Sequence, residues 1–190
     1  ELEDYAAATA EAKAALDSSE ADLAQVRQQL ENIPEQIKIA KTKLQAQHDA
    51  FDRENKKIEA LGQLISHRES LRSKAESAAK ESAKLAATAP DNPELAKATD
   101  LLNESVDLLG KDIKSVQAQL TPQQKTRDAA KTAIAIAQRE LDRLKLLPEK
   151  LNTEIATKTA AVTEAATNLQ IRQREGNEFA KTVAQQKAKI

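Results

Sequence analysis

Read at intervals of seven from Leu2, the chain returns again and again to a large apolar residue. The series runs Leu2, Thr9, Leu16, Leu23, Leu30, Ile37, Leu44, Phe51, Ile58 and Ile65. A companion series three residues later carries Tyr5, Ala12, Ser19, Val26, Ile33, Ala40, Gln47, Glu54 and Leu61. Alternating steps of three and four mark the a and d positions of a heptad, the repeat of a left-handed coiled coil. Pro34 falls inside this run and does not reset its phase. It lacks the N–H that would bond the Leu30 carbonyl and crowds that carbonyl, at a cost of about 3 kcal/mol. A loop would be free to change the phase, so the pattern predicts one helix kinked at Pro34. The other reading is a stop, with Asn32 capping a new helix.

After Leu61 the apolar positions move to Leu64, Leu71, Ala75, Ala78 and Leu85. The shortened step reads as a stammer, loosened by Gly62, that overwinds the coil. The segment "ATAPDNPELAKA", residues 86–97, then breaks the helix most strongly. Asn92 is suited to cap a second helix, with Pro93 at its first position and Glu94 in its first turn. Beyond it one series carries Leu95, Leu102, Leu109, Val116, Gln123, Ala130, Ala137, Leu144 and Leu151. The other runs from Val106 through Ile113, Leu120, Arg127, Ile134, Leu141 and Pro148 to Ile155, Val162, Leu169, Gly176, Val183 and Ile190. The register survives Pro122 and Pro148, although Thr121-Pro122 with Gln124 resembles a helix start and marks the expected break.

The fold class expected is therefore all-α: a long antiparallel coiled-coil hairpin with proline kinks. It forms a single domain over residues 1–190, with a first helix over 2–88, a turn over 89–93 and a second helix over 94–190. Reflection about the midpoint between Pro90 and Pro93 sets Pro34 opposite Pro148 and Gly62 opposite Pro122, so these four are the expected kinks. The same reflection pairs Tyr5 with Phe179 and sets Glu54 against Arg127 as a core ion pair, while Gly110 and Gly176 find no partner. Polar residues at seam positions, among them Arg68, Ser82 and Lys158, are expected to fix register at some loss of stability. Ile39, Leu101, Leu108, Ile136, Leu147 and Ile171 lie off the seam. They would supply a second seam in a dimer of hairpins or a folded-back four-helix bundle.

Composition supports this picture. Tyr5, Phe51 and Phe179 are the aromatic residues, charged residues make up 31%, and Gly and Pro number three and five. Such usage belongs to long helices. The net charge of −1 is spread without a basic block, which argues against nucleic acid as a partner. No apolar run spans a bilayer, so no transmembrane segment is expected. Peripheral membrane contact is disfavoured too, because acids interleave the cations from Lys38 to Lys57. The chain begins at Glu1 rather than Met, as expected of an excised or processed segment. It has neither Cys nor Met, which leans toward an extracytoplasmic setting. Ala-rich helices use few of either in any compartment.

Chemistry is thinly represented. His48 and His67 stand alone, and no metal-ligand spacing or phosphate loop occurs. No catalytic residue, metal or cofactor is assigned, and an enzyme is not expected. The candidate contact surface is the tip: Pro90, Asp91, Asn92, Pro93 and Glu94. A tight turn between helices requires those residue types anyway. The expected role is a structural module, a spacer or an arm that binds a protein partner or a second copy as a homodimer. A BAR-like membrane-surface scaffold and a bacterial envelope adaptor hairpin are the alternatives. The stretch "LDRLKLLPEKLNTEIATKTAAVTEAATNL", residues 141–169, resembles coiled-coil segments of large planctomycete proteins that carry propeller or cytochrome c domains. The resemblance is one of composition. It implies an extracytoplasmic spacer and carries no functional residue over.

Overall fold

In the computed structural model, which describes residues 2–188, two helices account for nearly all of the chain. Helix α1 spans Leu2–Thr88 and α2 spans Pro93–Lys187. Ala, Leu, Glu, Lys, Gln and Arg dominate both, and these side chains lose little freedom in a helix. Several Ser and Thr within the helices turn their hydroxyls back on the preceding turn, as Thr9 does to the Tyr5 carbonyl at 2.8 Å. Ile190 and the side chain of Leu2, both assigned to the seam above, lie outside the described residues.

Between the helices Asn92 N–H donates to the Ala89 carbonyl at 3.0 Å, which closes a four-residue turn through Pro90 and Asp91. No described residue has a positive φ, so the turn is type I, with Pro90 supplying the fixed φ of its first central position. Asn92 caps α2: its Oδ1 accepts from the Glu94 N–H at 3.1 Å, and Pro93 takes the first helical position, where a missing N–H costs nothing.

The chain forms two compact units, Glu1–Lys41 with Arg139–Ile190 and Thr42–Gln138. In the first, Val26, Ile33 and Leu151 are buried together, and Leu30, Ile37, Leu147 and Ile155 pack around them. Ile33 is 2% exposed. Pro34 follows Ile33 directly and Pro148 lies one turn before Leu151, and the helices continue through both. Each interior proline costs about 3 kcal/mol. Full burial of an aliphatic side chain returns about 1.5–3 kcal/mol, so a cluster of this size offsets the two prolines. Tyr5 and Phe179 stack with ring centroids 5.1 Å apart.

In the second unit the seam departs from expectation. Leu64, Leu71 and Leu85 are exposed, while Ile65, Arg68, Ala75, Ala79, Ser82 and Ala86 turn inward. The stammer at Gly62 therefore does not occur, and the heptad set at Tyr5 holds to Ala86. Gly62 is exposed with open space where a Cβ would stand, and Pro122 is exposed as well, so neither enters the seam. Nor does α2 break at Thr121-Pro122; the helix is continuous there, and Thr126 bonds back to the Pro122 carbonyl at 3.0 Å. Proline lacks a donor but retains its carbonyl, so the turn that follows it is supported normally.

Candidate functional site

The tip residues Pro90, Asp91, Asn92, Pro93 and Glu94 are all exposed. The Asn92 side chain is engaged in capping, and the two prolines set the turn and the helix start. The turn itself accounts for these residue types. Near the tip, Thr99 Oγ1 lies 2.8 Å from Ser82 Oγ and 3.0 Å from the Leu95 carbonyl, within donating distance of both. This contact ties α1 to α2 through two part-buried seam hydroxyls.

Two charged seam residues, Arg68 and Lys158, find partners across the hairpin. Arg68 Nε pairs with Asp112 Oδ2 at 2.8 Å, and Lys158 Nζ pairs with Asp22 Oδ2 at 2.9 Å. The Asp22 carboxylate raises the pKa of Lys158, first by hydrogen bonding and then by charge. Solvent screens pairs of this kind, so the geometry matters more for register than for stability. The glycines unmatched by reflection also have neighbours. A Cβ on Gly110 would stand 3.5 Å from the Arg72 guanidinium, and one on Gly176 would stand 3.7 Å from Tyr5 Cβ. Both glycines face the other helix, and a Cβ at either would sit in ordinary van der Waals contact.

The expected Glu54–Arg127 ion pair is not formed. Glu54 binds Lys57 one turn on at 2.7 Å, and Arg127 binds its neighbour Asp128 at 2.8 Å. Each charge meets a partner on its own helix, where less chain entropy is spent in bringing them together. Glu54 is the most enclosed charge of this group, its side chain 12% exposed, and its Oε2 has no hydrogen-bond partner.

His48 and His67 are exposed, and among the described residues no three His, Asp or Glu side chains come together as metal ligands would. The surface grooves are shallow and follow the seam. One is lined by Lys57, Leu61, Leu64, Gln119 and Gln123, another by Glu76, Ala79, Ala83, Thr99 and Asn103. No described helix is long and apolar enough to cross a membrane. No family model, curated protein or solved structure matches the chain.

The cross-hairpin pairs and the two glycine contacts escaped the sequence reading. Arg68, Ser82 and Lys158 were visible as polar seam residues, but their partners Asp112, Thr99 and Asp22 become legible only once the facing level is known.

Proposed function

We propose that this chain is a structural arm: a helical hairpin that spaces other parts of a larger protein or presents a surface to a protein partner. The observation that supports this reading is the continuity of one heptad seam along each helix, through Pro34, Pro122 and Pro148 alike. Three of its polar members, Arg68, Ser82 and Lys158, pair α1 with α2. A seam that repeats without a specialised segment is a device for extension and register.

Such an arm tolerates changes of length that preserve the heptad and the facing level. Deleting residues 9–15 together with residues 168–174 removes one heptad from each helix at matched levels. The shortened chain is expected to keep cooperative thermal unfolding by far-UV circular dichroism. Deleting residues 9–15 alone is expected to broaden the transition and lower its midpoint, because the helices then lose their match. Equal damage from both deletions would contradict the arm and point to a domain built around one site.

A further inference from the structure

The second unit, Thr42–Gln138, has two unlike flanks. Heptad letters describe them, with a at Ile65, Arg72 and Ala79 of α1 and at Thr99, Val106 and Ile113 of α2. Between antiparallel helices the g positions lie side by side, and Leu64 and Gln119, both g, do line one groove. Glu76, Ala83 and Asn103, all e, line a groove on the opposite flank. The e-side flank carries Glu69, Glu76, Lys80, Asp100, Asp107 and Lys114, all exposed. The g-side flank carries exposed leucines beside its charges, Lys74, Glu81 and Asp112 among them. Leu71 and Leu85 occupy g positions of α1, 41% and 56% exposed, and Leu101 and Leu108 occupy the adjacent c positions of α2, 58% and 57% exposed. A concentration of exposed leucine on one side of a two-helix unit marks an interaction surface.

The arrangement of these leucines is symmetric. Leu71 and Leu85 stand one heptad to either side of Ala78. Leu101 and Leu108 straddle Asn103 to Val106, the stretch of α2 that meets α1 at Ala79. Lys74 and Glu81, exposed c positions of opposite charge, also straddle the Ala78 level. Glu81 has only a loose partner in exposed Lys84, at 3.4 Å. A half-turn about an axis crossing both helices at this level would set Leu71 on Leu85 of a second copy and Leu101 on Leu108. The same half-turn would set Lys74 on Glu81. Apolar rows and charges match together under one operation, which is the requirement of an isologous interface.

We propose that a second copy of this chain docks antiparallel on the g-side flank, centred on Ala78, and completes a local four-helix packing. The proposal rests on the arm reading above and names its partner. A two-fold axis running along the helices instead would place Lys74 against Leu108 and Glu81 against Leu101, burying charge on leucine. The antiparallel overlap runs from the turn to the same distance beyond Ala78, about 24 residues or about 36 Å of each helix. With two helices side by side, each about 10 Å across, the face covers roughly 700 Å². That approaches the roughly 800 Å² per partner of a standard stable interface.

Sedimentation equilibrium of the whole chain, with far-UV circular dichroism as the control for folding, tests this. The expected result is a dimer at micromolar concentration. L101E/L108E should be monomeric with unchanged helicity, since both leucines are exposed in the single chain. K74E sets like charges together at two symmetric places and should weaken the dimer about ten-fold. K74E/E81K restores opposite charges and should recover it. The chain has no cysteine, so Ala78→Cys should oxidise to a covalent dimer while Asn103→Cys, on the other flank, should not. A wild-type chain that stays monomeric at about 100 µM with full helicity overturns the dimer and leaves the arm intact. A dimer indifferent to L101E/L108E, or a K74E/E81K chain no tighter than K74E, also overturns it. Loss of helicity in the wild-type chain would instead overturn the arm.

Discussion

The two units fill the same heptad in different ways. In the unit containing both chain ends, α1 and α2 each contribute large aliphatic side chains, and Val26, Ile33 and Leu151 are buried as one cluster. In the unit containing the turn, α2 contributes Ile113 and Val116, while the stretch of α1 past Ile65 answers with Arg68, Ala75, Ala79, Ser82 and Ala86. Small and polar residues bring the backbones together and bond across, as Ser82 does with Thr99, but they bury little apolar area. The leucines of α1 at these levels sit outside, on the flank. One unit is held by its interior. Near the turn of the other, Leu71, Leu85, Leu101 and Leu108 stand exposed beside a seam of small and polar residues.

The difference can be broken most forcefully at Ile33. Ile33→Ala should cost about 3 kcal/mol, since it empties the centre of the buried cluster. Ile65→Ala, at a half-buried seam position of the other unit, should cost about 1 kcal/mol. Urea unfolding followed by far-UV circular dichroism measures both, and equal losses would erase the contrast. Glu54→Leu comes next. It replaces an enclosed carboxylate with an apolar seam residue and should raise stability by about 1–2 kcal/mol. In a cycle of Glu54→Lys and Arg127→Glu the two effects should simply add, because the residues do not touch.

Asn92→Ala removes the cap of α2 and should cost about 1 kcal/mol in the same unfolding experiment. The smallest effect concerns Lys158. Its pKa is raised by Asp22, so the pair contributes fully below the unfolded lysine range. The contribution fades as pH rises through the elevated folded value. Asp22→Asn should remove this alkaline loss and leave stability near neutral pH little changed. A steeper alkaline decline in Asp22→Asn than in the parent chain would contradict the assignment.

The fold was legible in the sequence because heptads, proline positions and the "APDNPE" turn all report the same architecture. The turn was read down to the cap, and the Tyr5–Phe179 contact followed from reflection about it. The seam near the turn departs from expectation because hydrophobicity does not mark the interior there: the interior of α1 is alanine, serine and arginine. Leu64, Leu71 and Leu85 therefore looked like the seam and suggested a stammer. Their spacing of seven from Leu64 to Leu71 ran parallel to the true seam, one position away. Glu54 and Arg127 failed for a different reason: reflection finds the facing level but not the partner a charged side chain can reach locally at lower entropic cost. The tip offered polar residues suited to contact, and the fold uses Asn92, Pro90 and Pro93 for the turn.

Helices α1 and α2 pack in antiparallel register, and a cross-link between Tyr5 and Gly176, far from the turn, reports that register directly. A Cβ on Gly176 would lie 3.7 Å from Tyr5 Cβ, within the range a disulfide requires. In a chain without other cysteines, Tyr5→Cys/Gly176→Cys should close an intramolecular bond at high dilution and raise the unfolding midpoint. Tyr5→Cys/Val183→Cys, displaced by one heptad, should not. Closure of the displaced pair, or only intermolecular bonds from the first, would contradict the register on which every contact described above depends.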